Sequence, residues 1–465
     1  MTRSLFVLFM SLLFCPSLFA QLGNQNMILI ANKDEHITGS QRYSAIWGYL
    51  SPTGREYAIL GCHTGTVFYD VTDSANIVEV GFVQTPAPIS SSGNGWREMK
   101  VYSHYAYIVS EASNTAIQIV DLQYLPDSVR YVGKFTLPGH SRTHTISQDG
   151  PYLYLNGCNS SFGNGTKIVD LTSNPEVPVL RGSWNQYYVH DSRIIDDTMY
   201  LSNIYEGLLS IVDITNKDNP QTITSFSTIP NPFTHNSALT TDKKYIFTTD
   251  ETDNPPGKLK VWNIEDLNNI MYVNSWTPTG ITTSIVHNVE IYGDYALIAH
   301  YTAGIRLLDI SDPTNPTEVA WYDSRPSTNT NTFTGCWGVY MFPSGKIIAS
   351  DMNTGLYVLK PTITMLNAGN VSNTIPENFR LEQNFPNPFN PSTMIKFSLP
   401  KNTNVSLKVF NMSGKEVAQI INDRRDAGNY EVWFDASEYS LTSGIYFYEL
   451  KTNDSKIVKK MAFVK

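Results

Sequence analysis

Four histidines fall at one position of a repeated unit. His144, His190 and His287 stand eight residues ahead of Tyr152, Thr198 and Tyr295, which open the second strand-like run of their units, and His235 stands nine ahead of Lys244. Neutral imidazole is a common ligand for divalent transition metals, and it also serves as a general base. A polar set follows in the next loop of each unit: Glu111, Asn156 and Cys158, Asn203 with Glu206, then Asp250, Glu251 and Asp253, His300 and Asp351. Carboxylates beside histidines ligate a metal, orient an imidazole or take a proton. His190, His235 and His287 are therefore the metal candidates, and Asp250 and Glu251 the candidate catalytic bases. Arg97, Glu111, His144 and Asp351 are candidates for ligand binding. The divalent metal such a set would hold is zinc, manganese or calcium. Three readings stand at this level: a metal or ligand site, structural hydrogen bonds between units, and proton transfer without a metal. No Ser-His-Asp arrangement and no phosphate-binding loop stands out.

The elements that must position these residues are set by a repeat. A short apolar strand recurs as GTVFYD, AIQIVD, GTKIVD, LLSIVD, KLKVWN, GIRLLD and GLYVLK, ending at Asp70, Asp121, Asp170, Asp213, Asn263, Asp309 and Lys360. The ends step by 51, 49, 43, 50, 46 and 51 residues. That period suits a four-stranded blade, so the expectation is an all-β, seven-bladed β-propeller. The Asp that ends most copies reads as structural, its side chain accepting backbone N–H bonds in the turn that follows. The innermost strand of a blade lines the central channel, so one position per blade converges on the axis. The same register puts Arg97 in the second unit, Gly48 in the first and Gly338 in the seventh.

The seventh unit stops after its third strand, but a spare strand, Met27 to Ala31, precedes the first. Pairing the two closes the ring and removes two exposed edges. Cys62 and Cys336 belong to blades that meet at this closure, which predicts a disulfide between them and leaves Cys158 free. Three cysteines remain once Cys15 is removed, too few for a four-cysteine zinc site.

Composition bounds the partners. The net charge of −9 over 465 residues, with no basic stripe in the propeller, argues against nucleic acid. Arg3, the apolar run from Leu5 to Phe14 and the small Ala20 read as a signal peptide over residues 1–20, cut between Ala20 and Gln21. No later segment is long and apolar enough to be a transmembrane helix, so the mature chain is expected to be exported without one. The texture changes after Pro361. Residues 362–375 read as a linker, and 376–465 hold about six strand-like runs that suit a small immunoglobulin-like β-sandwich. Lys456, Lys459 and Lys460 sit in its last run, as solvated charge or a docking edge.

Two stretches resemble known families. QNFPNPFNPST with IKFSLP, then VFNMSGKEV, SGIYFYEL and the terminal KKMAFVK, resemble the type A sorting domain of the type IX secretion system. That resemblance implies passage across a bacterial outer membrane, with the secretion machinery and a sortase-like peptidase as partners of residues 376–465. The product is then released or attached at the cell surface. YAYIVSE with IQIVDL, YVHDSRI, THNSALTTDKKYIFTTDETD, VHNVEIYGDYALIAHYTAGIRLLDIS and CWGVYMFPSGKIIASDMNTGLYVLKP resemble the LVIVD-repeat propellers, nearest those called choice-of-anchor B proteins. This likeness implies a seven-unit propeller over residues 21–361 and supplies no activity. The third unit departs from the pattern, with Thr143-His144-Thr145 where His-Asn is expected.

Two functions fit. One is an extracellular binding module for an unidentified ligand, with Trp96, Trp184, Tyr187, Tyr188 and Trp337 available near loops for stacking. The other is a metal-dependent hydrolase or lyase acting on an extracellular polymer.

Overall fold

The computed structural model describes residues 23–326, 329–363, 368–372, 379–401, 403–425, 428–436, 439 and 441–464. The expected signal peptide with Ala20 and Gln21, and much of the expected linker, lie outside the described residues. Seven antiparallel sheets of four or five strands follow one another in chain order. Their first strands are Tyr43–Leu50, Arg97–Tyr102, Thr145–Asp149, Asp191–Ile195, Thr234–Leu239, Asn288–Tyr292 and Cys336–Met341. Each first strand touches the first strand of the next blade, and the seventh touches that of the first, which closes a ring around an axis.

The repeated strand is the third of each blade, and its burial explains its composition. Gly65–Asp70, Ile117–Asp121 and Thr166–Asp170 are buried along their whole length, so the run is mostly apolar and β-branched without strict alternation, with Gln118 and Lys167 buried in it as well. The residue that ends it closes a turn. Asp70, Asp121, Asp170, Asp213, Asn263 and Asp309 each accept the backbone N–H two residues on, at 2.8 to 3.0 Å. Apolar cores lie between neighbouring blades. Leu297, Ala299 and Leu307 of blade six pack with Val339, Ile347 and Leu359 of blade seven, for example.

Closure uses the N-terminal segment twice. Asn24–Gln25 adds a fifth strand to blade six, pairing with Tyr322 and Trp321. Asn26 then takes a φ of +51°, a left-handed turn that asparagine tolerates better than most residues. Met27–Lys33 becomes the outer strand of blade seven along Gly355–Pro361. Met27 is 1% exposed, within the core shared by blades six and seven. The expected closing strand is thus present, and the clasp on blade six is additional.

The expected disulfide is not. Cys62, Cys158 and Cys336 are buried free thiols. Cys62 packs in the core between blades seven and one, while Cys336 packs in the core between blades six and seven. Blade seven separates the two sulfurs.

The C-terminal residues form two four-stranded sheets around one core. One holds Ala368–Ser372, Gly428–Asp435, Ser392–Leu399 and Arg380–Leu381, and the other Glu416–Arg425, Thr403–Asn411, Gly444–Lys451 and Lys456–Phe463. Phe389, Phe397, Leu407, Tyr448 and Met461 fill the space between them. The lysine-bearing strand lies at a sheet edge, where Lys456 pairs with Glu449 at 2.5 Å.

Candidate functional site

The four histidines meet at one end of the axis. His144, His190 and His287 directly precede the first strands of blades three, four and six, and His235 sits at a bulge in that of blade five. Consecutive ring centroids are 4.1, 4.2 and 4.4 Å apart, so the imidazoles form an arc. The backbone makes room for the first of them. Gly157 has a φ of +58°, and a Cβ there would lie 2.8 Å from both His144 Cβ and the Tyr188 hydroxyl.

Hydrogen bonds fix which ring nitrogen carries the proton. His235 Nδ1 lies 3.1 Å from the His287 carbonyl and His287 Nδ1 lies 2.5 Å from the Trp337 carbonyl. A carbonyl only accepts, so both Nδ1 atoms are N–H donors. Burial drives the His287 pKa down to about 3 and that of His235 well below its ordinary value, so both rings are neutral. Their Nε2 atoms therefore present lone pairs. These face Glu251, whose Oε2 is 3.6 Å from His235 Nε2 and whose Oε1 is 3.8 Å from His287 Nε2. Burial pushes the Glu251 carboxyl up to about 7, against the hydrogen bond from the Tyr301 hydroxyl.

His144 and His190 differ from that pair. Glu111 Oε1 holds His144 Nδ1 at 2.5 Å. Burial favours the neutral ring, but the Glu111 contact outweighs it and raises the His144 pKa. His144 Nε2 and His190 Nε2 lie 2.8 Å apart and share one hydrogen. Burial, then the charge of neighbouring histidines, holds His190 well below its ordinary pKa. Its Nδ1 is buried with no hydrogen-bond partner among the described residues.

His190, His235 and Glu251 each offer a ligand atom, all within 4.8 Å of one another. A divalent metal with bonds of about 2.1 Å needs neighbouring donors about 3–3.5 Å apart. The His235–Glu251 pair at 3.6 Å is close to this, while a set spread over as much as 4.8 Å needs side-chain shifts of about 1 Å, with His190 giving up its contact to His144. Two imidazoles and a carboxylate leave coordination positions open. The donor set fits a transition metal.

The remaining candidates stand apart from this set or support it. Glu111 orients His144. Asp250 is 1% exposed and spent on structure: it accepts from the Phe233 N–H at 2.9 Å and pairs with Lys260 at 2.7 Å. Asp351 caps a turn through the Asn353 N–H at 2.9 Å and the Ser324 hydroxyl at 2.7 Å. Arg97 is buried between blades one and two, donating to the Cys62 carbonyl at 3.0 Å and to Gln118 at 3.3 Å, and burial lowers its pKa to about 10.

Above the histidines lies a cavity of about 250 Å³ with two unlike sides. Blades three to six contribute the histidines, Glu251 and Tyr301. Blades seven and two contribute Trp337, Met352 and Trp96, with Gln41 ahead of blade one and Phe333 from the loop before blade seven. Trp96 and Trp337 hold the places that the sequence register gives to Arg97 and Gly338. The opening hairpin of blade two has six pairs where that of blade three has five, and a bulge between Cys336 and Gly338 turns Trp337 inward. Either tryptophan is the immediate neighbour of the residue that the register picks, which was the available signal.

Residues 383–464 match the family model of the secretion system C-terminal sorting domain, and residues 285–324 match that of the LVIVD repeat. The sorting domain marks the chain for type IX secretion to the cell surface or the extracellular space. Among the described residues no helix is long and apolar enough to cross a membrane. No curated protein matches the chain. Among solved structures, the WD40 β-propeller domain of Doa1 is similar with a TM-score of 0.51 at 12% identity, over 72% of this chain and 97% of that one. A periplasmic gluconolactonase of Pseudomonas aeruginosa, PpgL, gives 0.46 at 11% identity, over 61% and 86%. A functionally unknown protein from Desulfotomaculum acetoxidans DSM 771 gives 0.45 at 10% identity, over 79% and 95%. The Doa1 likeness shows the propeller fold alone.

Proposed function

We propose that this LVIVD-repeat propeller, exported by its type IX sorting domain, is an extracellular ligand-binding module that holds a divalent transition metal on its axis. His190, His235 and Glu251 are the ligands, and the ion would sit at the floor of the cavity facing incoming ligand. The observation that carries this reading is the meeting of His190, His235 and Glu251 with ligand atoms within 4.8 Å of one another, beside the His287 lone pair that also faces the carboxylate. Two imidazole lone pairs face a carboxylate at 3.6 and 3.8 Å, an arrangement that repels itself unless a proton or a cation lies between. The nitrogen-rich set favours zinc over manganese and calcium, which prefer oxygen ligands.

The test is elemental analysis of protein purified without an affinity tag. About one metal per chain is expected, lost in His235→Ala with the β-sheet circular dichroism unchanged. Less than about a tenth of a metal per chain after incubation with zinc or manganese would sink the proposal.

A second reading, a metal-dependent hydrolase or lyase acting on an extracellular polymer, is favoured by one feature. With the metal on His190, His235 and His287 instead, the Glu251 carboxyl beside it, bonded to the Tyr301 hydroxyl, would be left to take up and return a proton. Turnover of a polymer by the metal-loaded chain, lost in Tyr301→Phe with metal content unchanged, would select it.

A further inference from the structure

We propose that the cavity takes the terminal ring of a glycan chain, with its C–H face on Trp96 and Trp337 and its hydroxyl edge toward His235, His287 and Glu251. The proposal rests on the binding-module reading above, but not on the metal. Its basis is the division of the pocket into two unlike halves. Trp337, Met352 and Trp96 make one wall apolar, while His235, His287 and Glu251 give the other a row of hydrogen-bond acceptors. A pyranose has the matching two sides: a C–H patch for an indole face and hydroxyls that donate to lone pairs. A flat aromatic ligand has two apolar faces and would leave the acceptors unpaired. A peptide brings one backbone N–H donor per residue, where a single pyranose ring brings several hydroxyls to the same edge.

Size and shape set the mode of binding. About 250 Å³ lies below the range typical of drug-sized ligands and suits a single ring. Beneath the histidines the axis narrows to a space of about 20 Å³, so a chain enters from one end and stops. The site would therefore recognise a chain end and not an internal stretch. Aromatics continue outward from the pocket. Tyr205 is 72% exposed and lies against Tyr188 at 4.9 Å, and Phe333 is 47% exposed beside Tyr301. Phe333 lines the cavity itself, and Tyr205 reaches the histidine arc through Tyr188, so both are exposed rings available to a chain longer than one unit.

The experiment titrates the full chain, with its metal content measured, against cellotetraose, maltotetraose, chitotetraose, tetragalacturonate and catechol, followed by calorimetry and tryptophan fluorescence. At least one tetrasaccharide should bind and alter the fluorescence. Trp96→Ala should weaken that binding about tenfold, and Trp96→Phe by clearly less, both with unchanged metal content. The idea is overturned if none of the four sugars binds, if Trp96→Ala binds as tightly as the wild type, or if catechol alone is taken. Metal without sugar removes this proposal and leaves the metal site standing. Sugar without metal does the reverse.

Discussion

Replacing Glu251 by Gln tests the acceptor wall through stability alone. Burial raises this carboxyl from an ordinary 4.5 to about 7. Between those values the folded chain keeps a proton that the unfolded chain has released, so wild-type stability falls as pH rises through this window. At about 1.4 kcal/mol per pH unit the loss reaches about 3 kcal/mol above neutrality. Glutamine has no proton to lose, and its amide can donate to the lone pair of His235 or His287. His144, with a raised pKa, also costs stability as pH rises, while the depressed His190, His235 and His287 cost stability as pH falls. Glu251 also helps to raise the His144 pKa, so the difference between wild type and variant reads Glu251 together with its coupling to these rings. The assay is urea unfolding in the presence of a chelator at about pH 5 and about pH 8. The variant should gain on the wild type by about 3 kcal/mol across that interval. Saturating zinc should reverse the order, because the ion stabilises the carboxylate form and binds the amide poorly. Parallel curves in chelator would mean that Glu251 ionises at its ordinary pH, and the repulsive wall would be refuted.

Two further outcomes follow from the ring. Met27→Ala empties a site that is 1% exposed in the core of blades six and seven, and should cost about 2–4 kcal/mol, read as a lower midpoint in thermal or urea unfolding. A shift below about 0.5 kcal/mol would show that the N-terminal strand does not close the ring. Burial raises the thiol pKa of Cys62, of Cys336 and of Cys158, the last to about 11. None of them should react with a thiol reagent in the native protein at neutral pH, and all three should react after unfolding without reductant. A pair that stays blocked until reductant is added would restore the disulfide.

Blade count, closure and the histidine position were legible in the sequence because each rests on a period that packing imposes. A third strand buried along its length is apolar at most positions, with Gln118, Lys167, Lys260 and Arg306 as buried exceptions, and its last residue ends the run. The walls of the cavity were less legible. One extra pair in the Arg97 hairpin and one bulge beside Trp337 move the register by a residue, and a one-residue move exchanges the faces of a strand. The loop of blade six pointed to His300, but that ring is buried against Ser284 at 3.0 Å, and its neighbour Tyr301 reaches Glu251 instead. Asp250 and Glu251 are adjacent and look equivalent in the sequence. Only the fold separates them, turning the first to Lys260 and the second to the axis. Cys62 and Cys336 belong to adjacent blades, and strand order carries no information about which core each thiol faces.

The double clasp of the N-terminal segment bears on how the propeller would carry mechanical load. The strand that leads out to the C-terminal sheets, Gly355–Pro361, is flanked on one edge by Ile347–Asp351 and on the other by Met27–Lys33. Tension drawn through the tail would load hydrogen bonds on both edges together, in shear, instead of peeling a free edge strand one bond at a time. Cutting the chain beyond Pro361 would remove no strand from the ring, whereas loss of Met27–Lys33 would strip the outer strand of blade seven. The protein is thus built so that one end can be pulled or cut while the other keeps the ring shut.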